Sequence, residues 1–340
     1  MKILCAPDSF KGSITAVEAA AAMASGLRKA LPEAEIDCCP VGDGGDGTLE
    51  SLLASTKGKL VTTKVRNQMG ALIESEIGIF DNGSLAFVES AKAIGVGKVP
   101  PEERDVMSAS SFGVGQLIQK AVDMSPQRII VGIGGSSTTD GGCGMAQALG
   151  VQFFDPSGQL ISEPIGGADL SNIAAIDTSQ RAANDIPITV ACDVSNPLTG
   201  PNGAAHVYGP QKGANADQII QLDDGLRHLA RIISRNLGSH IERIKGAGAA
   251  GGLGAGLATF ASAKLESGID IILDLVAFRT RIQGADLCLT GEGSLDEQSL
   301  YGKACTGIAR EASKAGVPVA ALVGSIRLDP GRWLEAGITE

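Results

Sequence analysis

Two rhythms of apolar and polar positions run along this chain, and the switches between them mark out its elements. Lys2–Ala6 is a short apolar run that reads as a strand. Thr15-Ala-Val-Glu18 has the spacing of a capping box, with Thr15 as N-cap and Glu18 reaching back. Val17, Ala20, Ala24, Leu27 and Leu31 follow at helical spacing, and Pro32 stops the helix. Glu35–Val41 is the next strand and Thr48–Ala54 starts another helix. That β-α-β-α order belongs to a parallel sheet. It returns near the end, where Ala285–Thr290 reads as a strand, Lys303–Lys314 as a helix closed by Gly316, and Val317–Val323 as a strand.

The middle is more mixed. Lys59–Phe87 alternates like antiparallel strands, with Asp81-Asn82-Gly83 as a hairpin turn. Val114–Val122 and Leu222–Leu237 read as helices. The second carries Leu222, Leu226, Leu229, Ile233 and Leu237 on one face, with Gly238 just past its end. Arg128–Ile133 and Ile186–Cys192 are apolar strands. The pattern predicts an α/β chain. Residues 1–64 and 275–340 form one discontinuous βαβ domain, and residues 65–274 form a second, inserted α/β domain.

Composition narrows the class. Among 340 residues there are 46 Gly, aromatics are only 3%, and the net charge is −10. The glycines cluster beside apolar runs, where the backbone turns sharply or approaches something closely. The acidic balance argues against nucleic acid, whose phosphates want a basic face, but leaves room for a small anion held by local donors. Three scattered histidines (His206, His228, His240) suggest no metal site of their own. Seven cysteines without a C-x-x-C pair read as reduced, packed thiols of a cytoplasmic protein. No signal peptide is expected from the short run Ile3–Ala6. The uncharged Gly246–Ala263 is too rich in Gly and Ala for a membrane span.

The chemistry lies in five loops, each at the carboxyl end of a predicted strand, where open parallel sheets bind ligands. They are Pro7-Asp8-Ser9-Phe10-Lys11-Gly12-Ser13; Gly42–Thr48 with Asp43; Gly134-Gly135-Ser136-Ser137-Thr138-Thr139-Asp140-Gly141-Gly142; Asp193–Leu198; and Gly291-Glu292-Gly293-Ser294-Leu295-Asp296. Gly and hydroxyl residues there offer donors to phosphate oxygens. Asp and Glu beside them would repel phosphate unless Mg²⁺ lies between, which takes one or two carboxylates plus phosphate oxygens. Lys11, Lys212 and Lys303 could neutralise developing charge or hold a substrate carboxylate.

Rival motifs are checked directly. There is no G-x-x-x-x-G-K-[ST] and no G-x-S-x-G, which argues against a P-loop enzyme and a hydrolase elbow. Gly246-Ala-Gly248-Ala-Ala-Gly251 is a literal G-x-G-x-x-G, continued by Gly252, Gly254 and Gly256. It keeps open a nicotinamide-dependent hydroxy-acid dehydrogenase as the alternative enzyme, although Ile241–Lys245 before it is poor strand material. A sugar-acid sensor is the non-enzymatic rival.

Taken together, the loops resemble those of the glycerate kinase family, in its bacterial ATP-dependent D-glycerate kinase lineage. The matching segments are Ala6–Ser13, Asp43–Thr48, Gly132–Ser136 with Asp140–Gly142, Cys192–Val194 with Asn196–Leu198, Gly209–Ala214, Gly246–Gly252, and Thr290–Gly293 with Asp296 and Gly302-Lys303. Ser294 stands where Arg is common in the family, and Thr139 where Asn is common. The resemblance implies phosphorylation of D-glycerate by ATP with Mg²⁺. It also implies a Rossmann-like domain and a second α/β domain with the active site in the cleft between them. The product expected from this lineage is 2-phosphoglycerate, with 3-phosphoglycerate as the other outcome.

On this reading Asp193, Asp296, Lys11 and Lys303 are catalytic, and Asp43, Asp193, Glu292 and Asp296 face the metal. Gly134, Gly135, Ser136, Ser137, Asp140, Gly248, Gly251 and Gly252 bind the nucleotide. D-glycerate and ATP are the partners, nucleic acid and membrane are not, and a homodimer is compatible. Ile338-Thr339 begins a further strand, and similar chains continue with a strand and a terminal helix. A native chain longer than these residues is therefore expected.

Overall fold

The computed structural model describes residues 1–181, 185–301 and 303–340. Contacts divide the chain into two compact units, Met1–Gly58 with Ser267–Glu340, and Lys59–Glu266.

The first unit is built on a four-stranded sheet. Its order is Val319–Ile326, Leu287–Leu295, Lys2–Cys5, Glu35–Cys38, with every pairing parallel. Ile3, Cys5 and Met23 form its buried centre, packed by Leu27, Ile36, Leu287 and Leu289. The helix Ala16–Ala30 starts at the capping box read from the sequence, with Thr15 and Glu18 bonding each other's backbone. In this order the connection from Lys2–Cys5 runs one way, to Glu35–Cys38, and that from Leu287–Leu295 the other, to Val319–Ile326, which opens a crevice at the carboxyl ends of these two central strands. Two expectations change here. The segment Gly291–Leu295 is not a loop but the second half of a nine-residue strand. It stays paired to its neighbour through Leu295↔Ile326. Glycine permits this, because a Cβ on Gly291 would sit 2.3 Å from the Leu322 carbonyl oxygen. The second strand ends at Cys38 rather than Val41. At the other edge, the backbone of Thr339 and Glu340 hydrogen-bonds to Val319 and Ala321.

The second unit carries a six-stranded sheet in the order Lys264–Glu266, Ile188–Ala191, Arg128–Gly132, Leu85–Glu89, Leu72–Phe80, Gly58–Arg66. The first four strands are parallel. Leu72–Phe80 and Leu85–Glu89 pair antiparallel through the turn at Asp81–Gly83, where all three residues have positive φ. Apolar side chains from Ile77, Val88, Val131 and Val190 pack under the helix Phe112–Asp123 and the helix Leu253–Phe260. The long helix Ala216–Leu237 starts six residues earlier than its apolar stripe, because Asn215 and Gln218 form a capping box. Gly238 closes it in the left-handed conformation, as its sequence position implies.

Candidate active site

In the first unit, carboxylates converge on the crevice. Asp8 follows the strand Lys2–Cys5, Asp43 follows Glu35–Cys38, and Glu292 lies within Leu287–Leu295. Burial and the nearby Asp43 push the Asp8 carboxyl up to about 8, against the Ser9 N–H and Lys11. Burial likewise raises Glu292, opposed by the Ser299 hydroxyl and Lys303, with Asp296 and Asp43 adding to the rise. Glu292 Oε1 is buried with no hydrogen-bond partner. The loop Phe10-Lys11 passes over Gly293, with Lys11 N 3.5 Å from where a Cβ would stand. Five residues singled out from sequence (Lys11, Asp43, Glu292, Asp296, Lys303) thus share one electrostatic neighbourhood. Asp8 belongs with them, although the sequence pattern quotes it only as part of its loop. Gly302, beside Lys303, lies outside the described residues. Ser294 hydrogen-bonds Ser325 across the sheet at 3.0 Å.

An absent Mg²⁺ can be tested against these residues. The donors are hard carboxylate oxygens, one of them bare and buried, which suits this ion. Among the described residues no three acidic, His or Cys side chains close round a single point. A cation here would therefore rest on one or two carboxylates and complete its shell with other oxygens, as Mg²⁺ does beside phosphate.

In the second unit, two glycine-rich loops pack directly on each other. Gly141 N donates to the Gly251 carbonyl at 3.1 Å. A Cβ on Gly251 would stand 2.0 Å from the Thr138 carbonyl oxygen, and one on Gly252 would stand 2.8 Å from Gly141 Cα. A Cβ on Gly248 would stand 2.1 Å from the Pro197 carbonyl oxygen, in the loop that carries Asp193. Packing alone therefore requires glycine at 248, 251 and 252. The segment before them is a 3-10 turn, Ile241–Arg243, and not a strand. The strand-turn-helix context of a nicotinamide fingerprint is missing, and the dehydrogenase alternative has no support.

Each residue of the loop after Arg128–Gly132 has a distinct place. Gly135 is exposed and Gly134 half-buried. Ser136 bridges to Gly95, and Ser137 gives both its N–H and its hydroxyl to the Ile94 carbonyl. Asp140 is fully buried. Its carboxylate accepts from Ser111 N, Ser111 Oγ, Gly142 N and Gly144 N, and burial still keeps its pKa above the ordinary value. Its visible work is to shape the loop. The Thr138 and Thr139 hydroxyls are buried without partners. Lys212, in the turn Pro210–Lys212, reaches the Thr138 carbonyl at 2.6 Å.

The gathered carboxylates of the first unit and the glycine-rich strand-end loop of the second, each taken by itself, suit a phosphotransferase of the α/β class. Comparison with known proteins then names the family. The glycerate kinase family model matches residues 3–340. The glycerate kinase of Bacillus subtilis is 44% identical over 340 residues, covering 99% of this chain and 88% of the relative. The glycerate 2-kinase of Escherichia coli is 42% identical, covering 99% and 89%. A crystal structure of a putative glycerate kinase 2 from Salmonella typhimurium superposes with a TM-score of 0.84 at 42% identity, covering 96% of this chain and 87% of that one. The chain belongs to the glycerate kinase family.

Proposed function

We propose that this enzyme transfers the γ-phosphoryl group of ATP to the 2-hydroxyl of D-glycerate, giving 2-phosphoglycerate. Kinase activity toward glycerate and use of ATP come with the family. The choice of the 2-hydroxyl is supported by the near full-length match to the Escherichia coli glycerate 2-kinase. The observation that carries the phosphoryl-transfer reading is Glu292, buried with a bare oxygen in the neighbourhood of Asp43 and Asp8.

In this reading Asp43 and Glu292, with Asp296 of the same unit, would hold Mg²⁺. Bound there, the ion would draw negative charge from the phosphate oxygens. Asp193 and Asp296 are the candidates for the base that takes the hydroxyl proton. Lys11 and Lys303 balance charge on the phosphoryl group as it moves. The loop from Gly134 to Gly142, held in shape by Asp140 and by Gly248–Gly252, presents its backbone to the nucleotide. Phosphoryl transfer is mostly positioning and charge neutralisation, so such a set suffices. No helix among the described residues is long and apolar enough to cross a membrane, and the free cysteines suit the cytoplasm. ³¹P NMR of the product from ATP and D-glycerate tests the proposal. The 2-phosphoglycerate signal is expected; 3-phosphoglycerate would overturn the regiochemistry, and no phosphoglycerate the whole reading.

A further inference from the structure

Lys212 is a buried cation without an anion. It is 5% exposed, and among the described residues its ammonium makes one hydrogen bond, to a neutral group, the Thr138 carbonyl. Among the described residues no carboxylate lies within ion-pair distance of it. Asp140 attracts it through space, but that carboxylate is already taken by four donors. A charge removed from water is tolerated when it is paired. Burial accordingly drives the Lys212 pKa down to about 8.

The groups beside it say what would complete the pairing. Lys212 lines a small open-mouthed concavity with Ser137, Gln68, Val96, Arg104 and Asp105, whose carboxylate accepts from Met107 N and Ser108 Oγ. Gln68 is 2% exposed. Its Nε2 donates to the Gly95 carbonyl, which settles the orientation of the amide, and its Oε1 is left without a donor. Arg104 gives its Nε to the Val99 carbonyl and makes no ion pair among the described residues. The wall therefore combines two cations that make no ion pair among the described residues, one carboxylate already engaged by its own loop, and a buried acceptor that lacks a donor. A fully ionised phosphate chain supplies anionic oxygens but no donor for Gln68. A hydroxy acid supplies both, a carboxylate and a hydroxyl, within a few bonds.

We propose that Lys212 and Gln68 form the specificity subsite for the acceptor: Lys212 binds the carboxylate of the hydroxy acid, and Gln68 Oε1 accepts a hydrogen bond from one of its hydroxyls. The assignment rests on the proposed function, and it places the substrate's carboxylate on a residue of the second unit. Sequence spacing puts Lys212 among several loop lysines and does not mark Gln68 at all; only their burial in one wall singles them out.

The test compares D-glycerate with glyceramide, which keeps the hydroxyls and lacks the charge. Phosphorylation of D-glycerate by the wild-type protein is measured first, so that failure of the functional reading is seen separately. In the wild type, glyceramide is expected to bind at least tenfold more weakly than D-glycerate. In Lys212→Met, the KM for D-glycerate should rise at least tenfold, the KM for ATP should stay within twofold, and the two acceptors should bind within threefold of each other. Lys212→Arg should restore part of the discrimination. Gln68→Leu should raise the KM for D-glycerate several-fold with ATP unaffected, and it decides the matter if Lys212→Met does not fold. A rise in the KM for ATP in place of that for D-glycerate would assign the subsite to a nucleotide phosphate. Undiminished preference for D-glycerate over glyceramide in Lys212→Met would leave Lys212 as a strut for the Thr138 loop. Either result overturns the proposal.

Discussion

Gly251 and Gly238 have almost the same backbone, with φ of +70° and +67°, and opposite surroundings. Gly238 has nothing within 4 Å of a Cβ position, whereas Gly251 would place a methyl group against the Thr138 carbonyl. Gly238→Ala should therefore cost about 1 kcal/mol, the left-handed penalty alone. Gly251→Ala adds an overpacking term and should cost about 3 kcal/mol. Urea unfolding of the two variants checks this; equal losses would remove the steric argument. At the same scale, Asp193→Asn and Asp296→Asn should each lower kcat by roughly 10²-fold while leaving the melting curve in place. Normal turnover in both would take them out of the mechanism.

Among the elements, the helix Ala304–Lys314 is tied to its neighbours by charge. Glu311, 4% exposed, accepts from Arg279 Nε at 2.6 Å and Lys314 Nζ at 2.7 Å, with Arg310 Nε at 3.4 Å. Arg279 and Arg310 in turn pair with Asp274 and Asp270 of the helix Gly268–Leu275. Burial alone would raise the Glu311 carboxyl, but the bonds from Arg279, Lys314 and Arg310 outweigh it and hold it at about 2. A carboxylate so depressed stabilises the fold above its unfolded value of 4.5, and the contribution fades as pH falls from there toward 2. The cations are half-exposed, which screens the network, so Glu311→Gln should cost about 1–2 kcal/mol at pH 7. The deficit should shrink at pH 3. Thermal melts at the two pH values check it, and a pH-independent deficit would point to packing instead. Element positions were largely legible in the sequence, because caps and apolar periodicity are local signals. The strand Leu287–Leu295 was not. Its second half reads Gly-Glu-Gly-Ser-Leu, loop-like by composition, and becomes strand only because the neighbouring strand offers a parallel partner as far as Ile326.

For the whole molecule, a net charge of −10 means that an anion such as ATP must be attracted locally, and the proposed function assigns that to backbone donors and a cation. MgATP at about one hundred times its Kd should stabilise the fold by about 2.7 kcal/mol, read as an upward shift in Tm. EDTA should abolish phosphoryl transfer, and added Mg²⁺ should restore it. Activity that survives thorough chelation would exclude the cation from the reaction.

Sequence alone determined the α/β rhythm, four of the five loops at strand ends, the residue types that suit phosphate and a hard cation, and the family to which their joint pattern belongs. All but the family follow from spacing along the chain, and the family follows from the resemblance of the joined motifs. Tertiary structure decided where those residues sit and what they touch. It turned Gly248, Gly251 and Gly252 into contact points between loops and committed Ser137 and Asp140 to shaping their own loop. It gathered Asp8 with Asp43 and Glu292, and buried Lys212 and Gln68 in one wall. Burial and through-space charge depend on segments far apart in the chain, which no local pattern encodes.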